Sequence, residues 1–393
     1  MKHERWGTRR PRRRGTAAHE SAPSFSSLAS LAAAAGVEDD ETVQNLLGAV
    51  QATHDSEIAW DAYELIENLA YERWASGDPF YPSVTAEEVQ GEFEIGVAEF
   101  SGCPVGIRPD EAVQHTLFLG RSGSGKTTAM RRLFREVISK GPSMQPPVHL
   151  LVFDIKNDYD VLARDFPGIW RFAVPGPDFR FNVLEPPGCG VGEWCGQFAE
   201  TFANSAGFYA AQGTVNLLDR LLRELYARYD TAHGQFPCLL DLHDFLVSLK
   251  AGKKVERYSE EYHWFERILS RVESYASALG ETVNCSRGFD LGEILAHHTI
   301  LSLRAVRGDA ASLLTEVFLA QAVQWRMARG ERGGRLRNVC GFDEGKHLFP
   351  RYREETGQGI NNMSNLIANA RDVGLGLAVA DCDPSLLANS IKS

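Results

Sequence analysis

The stretch Leu117–Thr128, with the sequence LFLGRSGSGKTT, constrains the fold of this chain more than any other. It contains the pattern G-x-x-x-x-G-K-[ST] between an apolar run and a helix-forming run, which is the setting of a phosphate-binding loop. In such a loop Lys126 reaches the β- and γ-phosphate oxygens of a nucleoside triphosphate, and Thr127 ligates Mg²⁺. The residues predicted to bind the nucleotide are Gly120, Arg121, Ser122, Gly123, Ser124, Gly125, Lys126, Thr127 and Thr128.

A pair of acidic residues supplies the second half of the predicted site. The run NVCGFDEG places Asp343 and Glu344 directly after an apolar strand, at the carboxyl end where parallel sheets bind ligands. We expect Asp343 to support the Mg²⁺ ion through water, and Glu344 to orient or deprotonate the attacking water. This pair favours hydrolysis over the reaction of a kinase. Because Asp343 lies far from Lys126 in the sequence, we predict that its strand pairs with the strand before the loop across a long insertion.

Strands and helices alternate from His115 onward, which is typical of a parallel α/β sheet. Between residues 188 and 295 helical patterns replace the alternation, for example at Val215–Tyr229 and Tyr262–Leu279, so we predict an inserted helical subdomain. The predicted strands are His115–Leu119, His149–Phe153, Thr299–Leu303, Val339–Phe342 and Leu375–Ala380.

The N-terminal part of the chain does not share this pattern. Its first residues are strongly basic, although the whole chain has a net charge of −11. We predict a disordered basic arm over residues 1–27, which is either solvated or in contact with nucleic acid or another anionic partner. Apolar stripes predict a helical region over residues 28–90, with two helices within residues 38–76 that end at Gly77–Pro79. The segment Phe93–Ile107 predicts a small hairpin.

Composition argues against several classes of protein. The seven cysteines include no C-x-x-C pair, which disfavours a disulfide framework and a zinc site. The longest apolar run near the N-terminus, Leu28–Val37, is mostly alanine and about half as long as a membrane span. We therefore expect a cytoplasmic protein without membrane insertion. The acidic net charge does not exclude DNA binding, because an oligomeric ring can concentrate its basic residues in a channel.

Five sequence blocks between about residue 90 and the end of the chain resemble the HerA/FtsK superfamily of ring-shaped ATPases. The blocks, in chain order, are FEIGVAEFSGCPVGIRPDEAVQHTLFLGRSGSGKTT, LLVFDIKNDY, FRFNVLEPP, GFDEGKHLFP and NARDVGLGLAVADCDPSLL. The inserted helices are similar to those of the type IV secretion and conjugation ATPases of the same superfamily. The resemblance implies a P-loop fold with a RecA-like parallel sheet over residues 91–393. It also implies a homohexamer that threads DNA, expected to be double-stranded, through its pore by ATP hydrolysis.

The resemblance also assigns roles to individual residues, with ATP and Mg²⁺ as cofactors. The implied catalytic residues are Glu344, Lys126 and Arg371, and the implied metal-binding residues are Thr127 and Asp343. Arg371 matches an arginine that in this superfamily points at the nucleotide of a neighbouring subunit, where such a finger contributes strongly to the rate. A helix-end arginine that contacts carbonyls or solvent is the alternative. Asp154 and Lys156 match positions near the site.

The chain departs from the family pattern in two places. Asp381 and Cys382 stand where the family has Thr-Gln, whose amide senses the γ-phosphate, and a thiol is a poor substitute for an amide. Asp381 would place negative charge near the phosphates unless it faces away or assists the metal. The sequence also ends at NSIKS, before the further strand and helix of the family pattern, so the resemblance predicts a truncated C-terminus.

Three functions compete at this stage. The first is a DNA-translocating ATPase. The second is the ATPase of a conjugation or type IV secretion machine, which the inserted helices favour. The third is a nucleotide-dependent scaffold that controls a nuclease or a defence effector, which the Asp381-Cys382 pair favours and Glu344 disfavours.

Overall fold

The computed structural model describes residues 22–75, 86–98, 102–208, 212–252, 259–306, 308–351, 362–387 and 389–392. The chain divides into two compact units, and the first contains three helices: α1 (Phe25–Ala34), α2 (Glu41–Thr53) and α3 (Ser56–Ala75). Side chains cap the first two, because Ser24 accepts a hydrogen bond from the N–H of Ser27 and Asp40 accepts bonds from Thr42 and Val43. The buried residues of the three helices form a core of their own.

These helices refine the prediction for the N-terminal region. Helices α2 and α3 are the two helices predicted within residues 38–76. Helix α1 begins at Phe25, inside the segment predicted as a disordered arm. The remainder of that arm, residues 1–21, and the predicted helix stop at Gly77–Pro79 lie outside the described residues.

A short helix, α4 (Ala86–Val89), ends where the second unit begins in the sequence, and the predicted hairpin follows. Strands β1 (Phe93–Val97) and β2 (Pro104–Ile107) pair antiparallel, which confirms the hairpin. The turn α5 (Pro109–Ala112) then leads into the main sheet. Helix α6 (Lys126–Lys140) holds the hairpin through Arg132, whose guanidinium donates to the carbonyl and to the carboxylate of Glu94 at 3.1 and 2.8 Å.

The main sheet has six parallel strands in the order β3-β8-β7-β4-β6-β5. The strands are β3 (Thr116–Leu119), β4 (His149–Asp154), β5 (Trp170–Ala173), β6 (Thr299–Ser302), β7 (Asn338–Asp343) and β8 (Leu375–Asp381). All five predicted strands are confirmed to within about one residue at either end, and the fold is the predicted α/β class. Strand β5 was not predicted, since its four residues WRFA follow a short helix and carry only a weak apolar pattern.

The predicted pairing of the Asp343 strand with the strand before the loop is wrong. Strand β8 lies between them: Leu119 of β3 is opposite Asp381, and Asp343 of β7 is opposite Ala380. The physical reason is that β8, the last strand in the sequence, is buried over its whole length and carries no charge before its final residue, as suits a central strand of a parallel sheet.

Helices cover both faces of the sheet, and side chains alternate between two cores along each strand. On β4, Leu150 and Val152 face the core that contains α6 (Lys126–Lys140) and α7 (Asp160–Asp165). Leu151 and Phe153 face the core that contains most of the remaining helices. Those helices are α8 (Val191–Ser205), α9 (Gln212–Tyr226), α10 (Leu239–Ala251), α11 (Glu260–Leu279), α12 (Leu291–Leu295), α13 (Gly308–Ala328) and α15 (Asn362–Asp372). The short helix α14 (Gly345–Leu348) follows β7.

Helices α8 to α12 lie within the segment predicted as an inserted helical subdomain. The five leucines that predicted a wide apolar face on α9 are buried, namely Leu217, Leu218, Leu221, Leu222 and Leu225. All seven cysteines carry free thiols. Within the described residues, no helix is long and apolar enough to cross a lipid bilayer.

Candidate nucleotide site

The phosphate-binding loop connects β3 to α6 at the carboxyl edge of the sheet. Gly123 and Gly125 have φ angles of 79° and 91°, in the left-handed region that only glycine adopts without strain. Gly125 is the N-cap of α6 and makes no side-chain capping bond. The first N–H groups of α6 are therefore not capped by a side chain at that residue, as an anion site at a helix N-terminus requires.

Lys126 lies folded over this loop. Its ammonium donates hydrogen bonds to the carbonyl oxygens of Gly120 at 2.8 Å and Arg121 at 3.0 Å. These neutral acceptors are weaker partners for an ammonium than a phosphate oxygen is. We therefore expect a bound triphosphate to draw Lys126 away from the two carbonyls.

Helix α6 is tied to the loop that follows β4. The side chain of Arg131 donates to the carbonyl oxygen of Asp158 at 2.5 Å, and the buried hydroxyl of Tyr159 contacts the sulfur of Met130 at 3.5 Å. These contacts hold the phosphate-binding helix in register with β4. The carboxyl ends of the strands therefore form one continuous edge along which a nucleotide can lie.

The register of the strands brings the acidic residues to the same edge. Leu119, Asp381 and Asp343 end three adjacent strands. Since neighbouring strands lie about 4.8 Å apart, the backbone of Asp343 is about 10 Å from the start of the loop. A triphosphate whose β-phosphate meets the N-terminus of α6 can thus extend its γ-phosphate toward Asp343.

Asp343 has the properties expected of a residue that supports a metal ion. It is 3% exposed, and its Oδ1 accepts the N–H of Glu344 at 3.0 Å. Its Oδ2 is buried without a hydrogen-bond partner among the described residues. Burial raises the pKa of this carboxyl above its ordinary value. A cation at Oδ2 would satisfy the unpartnered oxygen and reverse that shift.

The residues at this edge suit Mg²⁺ rather than a metal ion whose ligands all come from protein side chains. No cluster of three or more His, Cys, Asp or Glu side chains with metal-binding geometry occurs in the described part of the chain. Mg²⁺ is usually held by one or two protein groups together with substrate phosphates and water. Thr127, in the first turn of α6, and Asp343 are placed to supply such groups from the two sides of a triphosphate.

Glu344 is held by two lysines. It adopts a left-handed conformation with φ of 58° directly after β7. Its Oε1 accepts a short hydrogen bond from Lys156, and its Oε2 lies 3.2 Å from the ammonium of Lys346. The hydrogen bond from Lys156 lowers the pKa of Glu344 to about 2. Glu344 is thus ionised at neutral pH and a weak base, so it is better suited to orient water than to deprotonate it.

The loop after β4 places Lys156. The buried carboxylate of Asp154 accepts three backbone N–H bonds, from Asn157 at 2.7 Å, Asp158 at 3.1 Å and Tyr159 at 2.9 Å. Burial nevertheless raises the pKa of Asp154. Asp154 is therefore a structural residue that shapes the turn, and Lys156 is the residue of this loop that reaches the site.

The structure gives the Asp381-Cys382 pair a definite role. Asp381 is 2% exposed, and its two oxygens accept the N–H groups of Lys346 at 2.7 Å and Asp383 at 2.9 Å. Its carboxylate is thus used to join the end of β8 to α14. The exposed Cys382 has its sulfur 3.5 Å from the ammonium of Lys346. Sequence reasoning missed Lys346, although its position two residues after Glu344 was a usable signal.

The structure does not bring Arg371 to the loop. Arg371 lies exposed in the last turn of α15, just before β8 begins. The loop and Asp343 lie at the carboxyl ends of the strands, so Arg371 is at the opposite edge, about 20 Å away by the rise along β8. Arg371 therefore cannot contact the nucleotide that its own loop would bind.

Comparison with known proteins supports one family. The family model for the central domain of the helicase HerA matches residues 93–321. This range contains the phosphate-binding loop and Lys156, whereas Asp343, Glu344 and Arg371 follow it. A search among curated proteins finds no significant match.

Solved structures show the same fold at low sequence identity. VirB4 of Thermoanaerobacter pseudethanolicus matches with a TM-score of 0.52 and 15% identity, over 75% of this chain and 77% of that one. The plasmid coupling protein TrwB with ADP and Mg²⁺ matches with a TM-score of 0.50 and 15% identity, over 75% and 69%. TrwB with a non-hydrolysable GTP analogue matches with a TM-score of 0.51 and 13% identity, over 74% and 68%.

Proposed function

The chain belongs to the family of the helicase HerA central domain, and from this premise we propose that it is an ATP-hydrolysing ring motor that translocates DNA through a central pore. The cofactors of this activity are ATP and Mg²⁺. The structural matches include TrwB bound to ADP and Mg²⁺, a nucleotide and metal of the proposed kind on the same fold.

The observation that carries the hydrolytic part of the proposal is the arrangement at the carboxyl edge. An uncapped helix N-terminus with Lys126 stands two strands from a buried carboxylate, Asp343, that has one oxygen without a partner in the described chain. An ionised Glu344 follows directly. Groups that can bind phosphate, support a metal ion and orient water thus lie next to one another at this edge, as hydrolysis of a γ-phosphate requires.

Mg²⁺, when bound, would supply positive charge that offsets the negative charge of the phosphate oxygens. The residues of this chain bind the phosphates, the metal ion and the attacking water. Lys126 and the N–H groups of α6 hold the phosphates, Thr127 and Asp343 hold the metal and its water shell, and Glu344 orients the attacking water.

The ring is the second part of the proposal. Arg371 is exposed and lies far from the loop of its own chain, so it could act on a nucleotide only in the site of a neighbouring subunit. A head-to-tail contact that closes into a ring places such a residue at each subunit boundary. We propose a homohexamer in which Arg371 acts on the neighbour's nucleotide.

The experiment that tests this function measures ATP hydrolysis with Mg²⁺, with and without double-stranded DNA, together with the size of the assembly. We expect DNA to stimulate turnover, the protein to form a ring-sized oligomer, and Lys126→Ala to abolish turnover. DNA binding should weaken as salt rises, because phosphate contacts release counterions. An oligomer that hydrolyses ATP at the same rate with and without DNA would contradict the translocase.

The fold matches to VirB4 and to the plasmid coupling protein TrwB favour a second candidate, a motor of a conjugation or type IV secretion machine. The two functions are separated by partners. Co-purification with secretion subunits would favour this candidate, whereas co-purification with a nuclease would favour a motor in DNA processing.

The contacts of Glu344 favour a third candidate, a nucleotide-dependent scaffold that controls a nuclease or a defence effector. Two lysines hold this carboxylate in the structure, which is a poor arrangement for rapid turnover. Tight ATP binding without hydrolysis, in the presence of DNA, would establish the scaffold. Hydrolysis above one turnover per site would exclude it.

A further inference from the structure

We propose that Lys346 binds the γ-phosphate of the nucleotide, and that it leaves Glu344 to do so. This inference deepens the proposed function and rests on it. It assigns the detection of the terminal phosphate to a cation on α14, in place of a polar side chain at the end of β8.

Lys346 is fixed to the correct part of the sheet by its backbone. Its N–H donates to Asp381 at 2.7 Å, and Asp381 ends the strand that runs directly beside the strand of the phosphate-binding loop. The approach of α14 to β8 depends on Gly345, since a Cβ there would lie 2.3 Å from a methyl carbon of Val379. The start of α14 is therefore held against β8, between the loop and Asp343.

The side chain of Lys346 is available to a ligand. Its ammonium lies 3.2 Å from Glu344, 3.5 Å from the sulfur of Cys382 and 4.0 Å from Asp381, and the side chain is 23% exposed. Only the first of these is a close contact between opposite charges. The hydrogen bond to Glu344 raises the pKa of Lys346, so the side chain is a cation at neutral pH. A lysine places this charge on a flexible four-carbon chain, which allows it to change partners.

Cys382 and Asp381 cannot take over the contact with phosphate. The thiol of Cys382 is a weak hydrogen-bond donor. Asp381 is an acceptor whose oxygens already bind two backbone N–H groups. Lys346 is the donor that this strand end presents, because it is bound to Asp381 by its backbone and lies beside Cys382 by its side chain.

The exchange of partners links the nucleotide to Glu344. With ADP, Lys346 and Lys156 both stay on the carboxylate, one at each oxygen. A γ-phosphate carries more charge than one carboxylate and competes for Lys346. When Lys346 moves, Oε2 of Glu344 loses one charged donor and a water molecule can take its place, while Lys156 keeps Oε1 in place. ATP would thereby prepare the water-orienting residue, and ADP would not.

The test compares the affinities of the Mg²⁺ complexes of ADP and of a non-hydrolysable ATP analogue in wild type, Lys346→Met and Lys346→Arg. Because Lys346→Met removes one charged hydrogen bond, it should weaken binding of the analogue by about 10- to 100-fold and leave the affinity for ADP within about twofold of wild type. Lys346→Arg should restore most of the preference for the analogue. The matched control is Lys250→Met, which removes a lysine that pairs with Glu266 on the helical insertion and should change neither affinity.

A second measurement needs no variant. Amine acylation of the wild-type chain, read by mass spectrometry, should be slowed at Lys346 by the analogue and not by ADP, whereas Lys126 should be protected by both. Equal protection of Lys346 by the two nucleotides, or an equal loss of both affinities in Lys346→Met, would overturn the inference and leave the proposed function standing. A wild-type chain that binds neither nucleotide would overturn both.

Discussion

The two edges of the central sheet carry opposite kinds of polar group. At the carboxyl edge, the ammonium groups of Lys126 and Lys346 have partners that a phosphate can replace, and Oδ2 of Asp343 has no partner within the described part of the chain. At the amino edge, Asn338 and His115 are bound on both sides by groups that a ligand would not displace. The difference indicates that one edge is built to exchange ligands and the other to hold the strands together.

At the amino edge, buried polar side chains have fixed hydrogen-bond partners within the chain. The guanidinium of Arg326, 5% exposed, donates to Glu331 and to Asn338 at 2.5 Å each, and Asn338 in turn donates to the carbonyl of Leu295 at 2.9 Å. His115 accepts the N–H of Leu377 at 3.1 Å and lies 3.2 Å from the carbonyl of Ile367. These groups join the starts of the strands to the helices that precede them.

The largest effect should come from Lys126→Ala at the carboxyl edge. The substitution removes the cation that contacts the β- and γ-phosphates, so we expect turnover to fall by about 10³-fold or more. Steady-state ATP hydrolysis measures this loss, and thermal unfolding should be unchanged, because Lys126 binds only loop carbonyls in the structure. A variant that retains wild-type turnover would show that this loop is not the site of hydrolysis.

Glu344→Gln should have the next largest effect and should separate binding from chemistry. The amide keeps the size of the side chain and loses the charge that orients water, so we expect turnover to fall by about 10²- to 10³-fold. Affinity for the Mg²⁺ complex of ATP, measured by titration, should persist. Equal losses of affinity and turnover would mean that Glu344 shapes the pocket and does not act on water.

Arg371→Ala tests the one arginine of the predicted site that the fold places at the amino edge. If Arg371 serves a neighbouring subunit, turnover should fall by about 10²-fold in the assembled ring, with no change in nucleotide affinity. Mixing the variant with Glu344→Gln subunits sharpens the test, since a boundary between the two types combines an intact Arg371 with an intact Glu344. Recovery of activity in the mixture supports action between subunits, and its absence opposes it.

Arg326→Met should change stability and not chemistry. Loss of the guanidinium leaves Asn338 and Glu331 without their buried partner, which we expect to lower the free energy of unfolding by about 3 kcal/mol. Urea unfolding measures this change, and turnover per folded molecule should stay within about twofold of wild type. A variant of normal stability with little activity would contradict the division between the two edges.

The smallest expected effect is a dependence of stability on pH. Burial lowers the pKa of His115 and of His298 to about 4. Above about pH 6.5 both rings are neutral in the folded and unfolded chain, and below it the unfolded chain takes up protons first. Stability should therefore fall between about pH 6.5 and pH 4, by an amount on the order of 2 kcal/mol.

Urea unfolding at pH 7 and pH 5 checks this pH dependence. His115→Asn, which suits the left-handed backbone at φ of 73°, should reduce the slope. A wild-type chain equally stable at the two pH values would contradict the buried, neutral state of these rings.

Local patterns account for what could be predicted from the sequence. The loop at Gly120–Thr128 depends on glycine conformations and on the helix that follows, so its residues identify it directly. Asp343 and Glu344 were found because an apolar run precedes them. The order of the strands was not predictable in this way, because the place of β8 depends on contacts with β3 and β7 that are remote in the sequence.

The unexpected part of the site depends on such remote contacts. Lys156 and Lys346 meet at Glu344 because two different strand ends place them there. The backbone bond from Lys346 to Asp381 also explains why a carboxylate is tolerated at the end of β8. From the sequence, Asp381 was expected to place negative charge near the phosphates, to face away from them or to assist the metal. Its actual partners, two N–H groups, could not be inferred from neighbouring residues.

The most direct measurement of the difference between the edges is a paired one. ATP turnover per folded molecule and the free energy of unfolding should be determined for Glu344→Gln and Arg326→Met under the same conditions. We predict that Glu344→Gln loses turnover with a smaller loss of stability than Arg326→Met, and that Arg326→Met loses stability at unchanged turnover per folded molecule. The reverse pattern, or equal losses in both quantities for both variants, would contradict the assignment of chemistry to the carboxyl edge and of support to the amino edge.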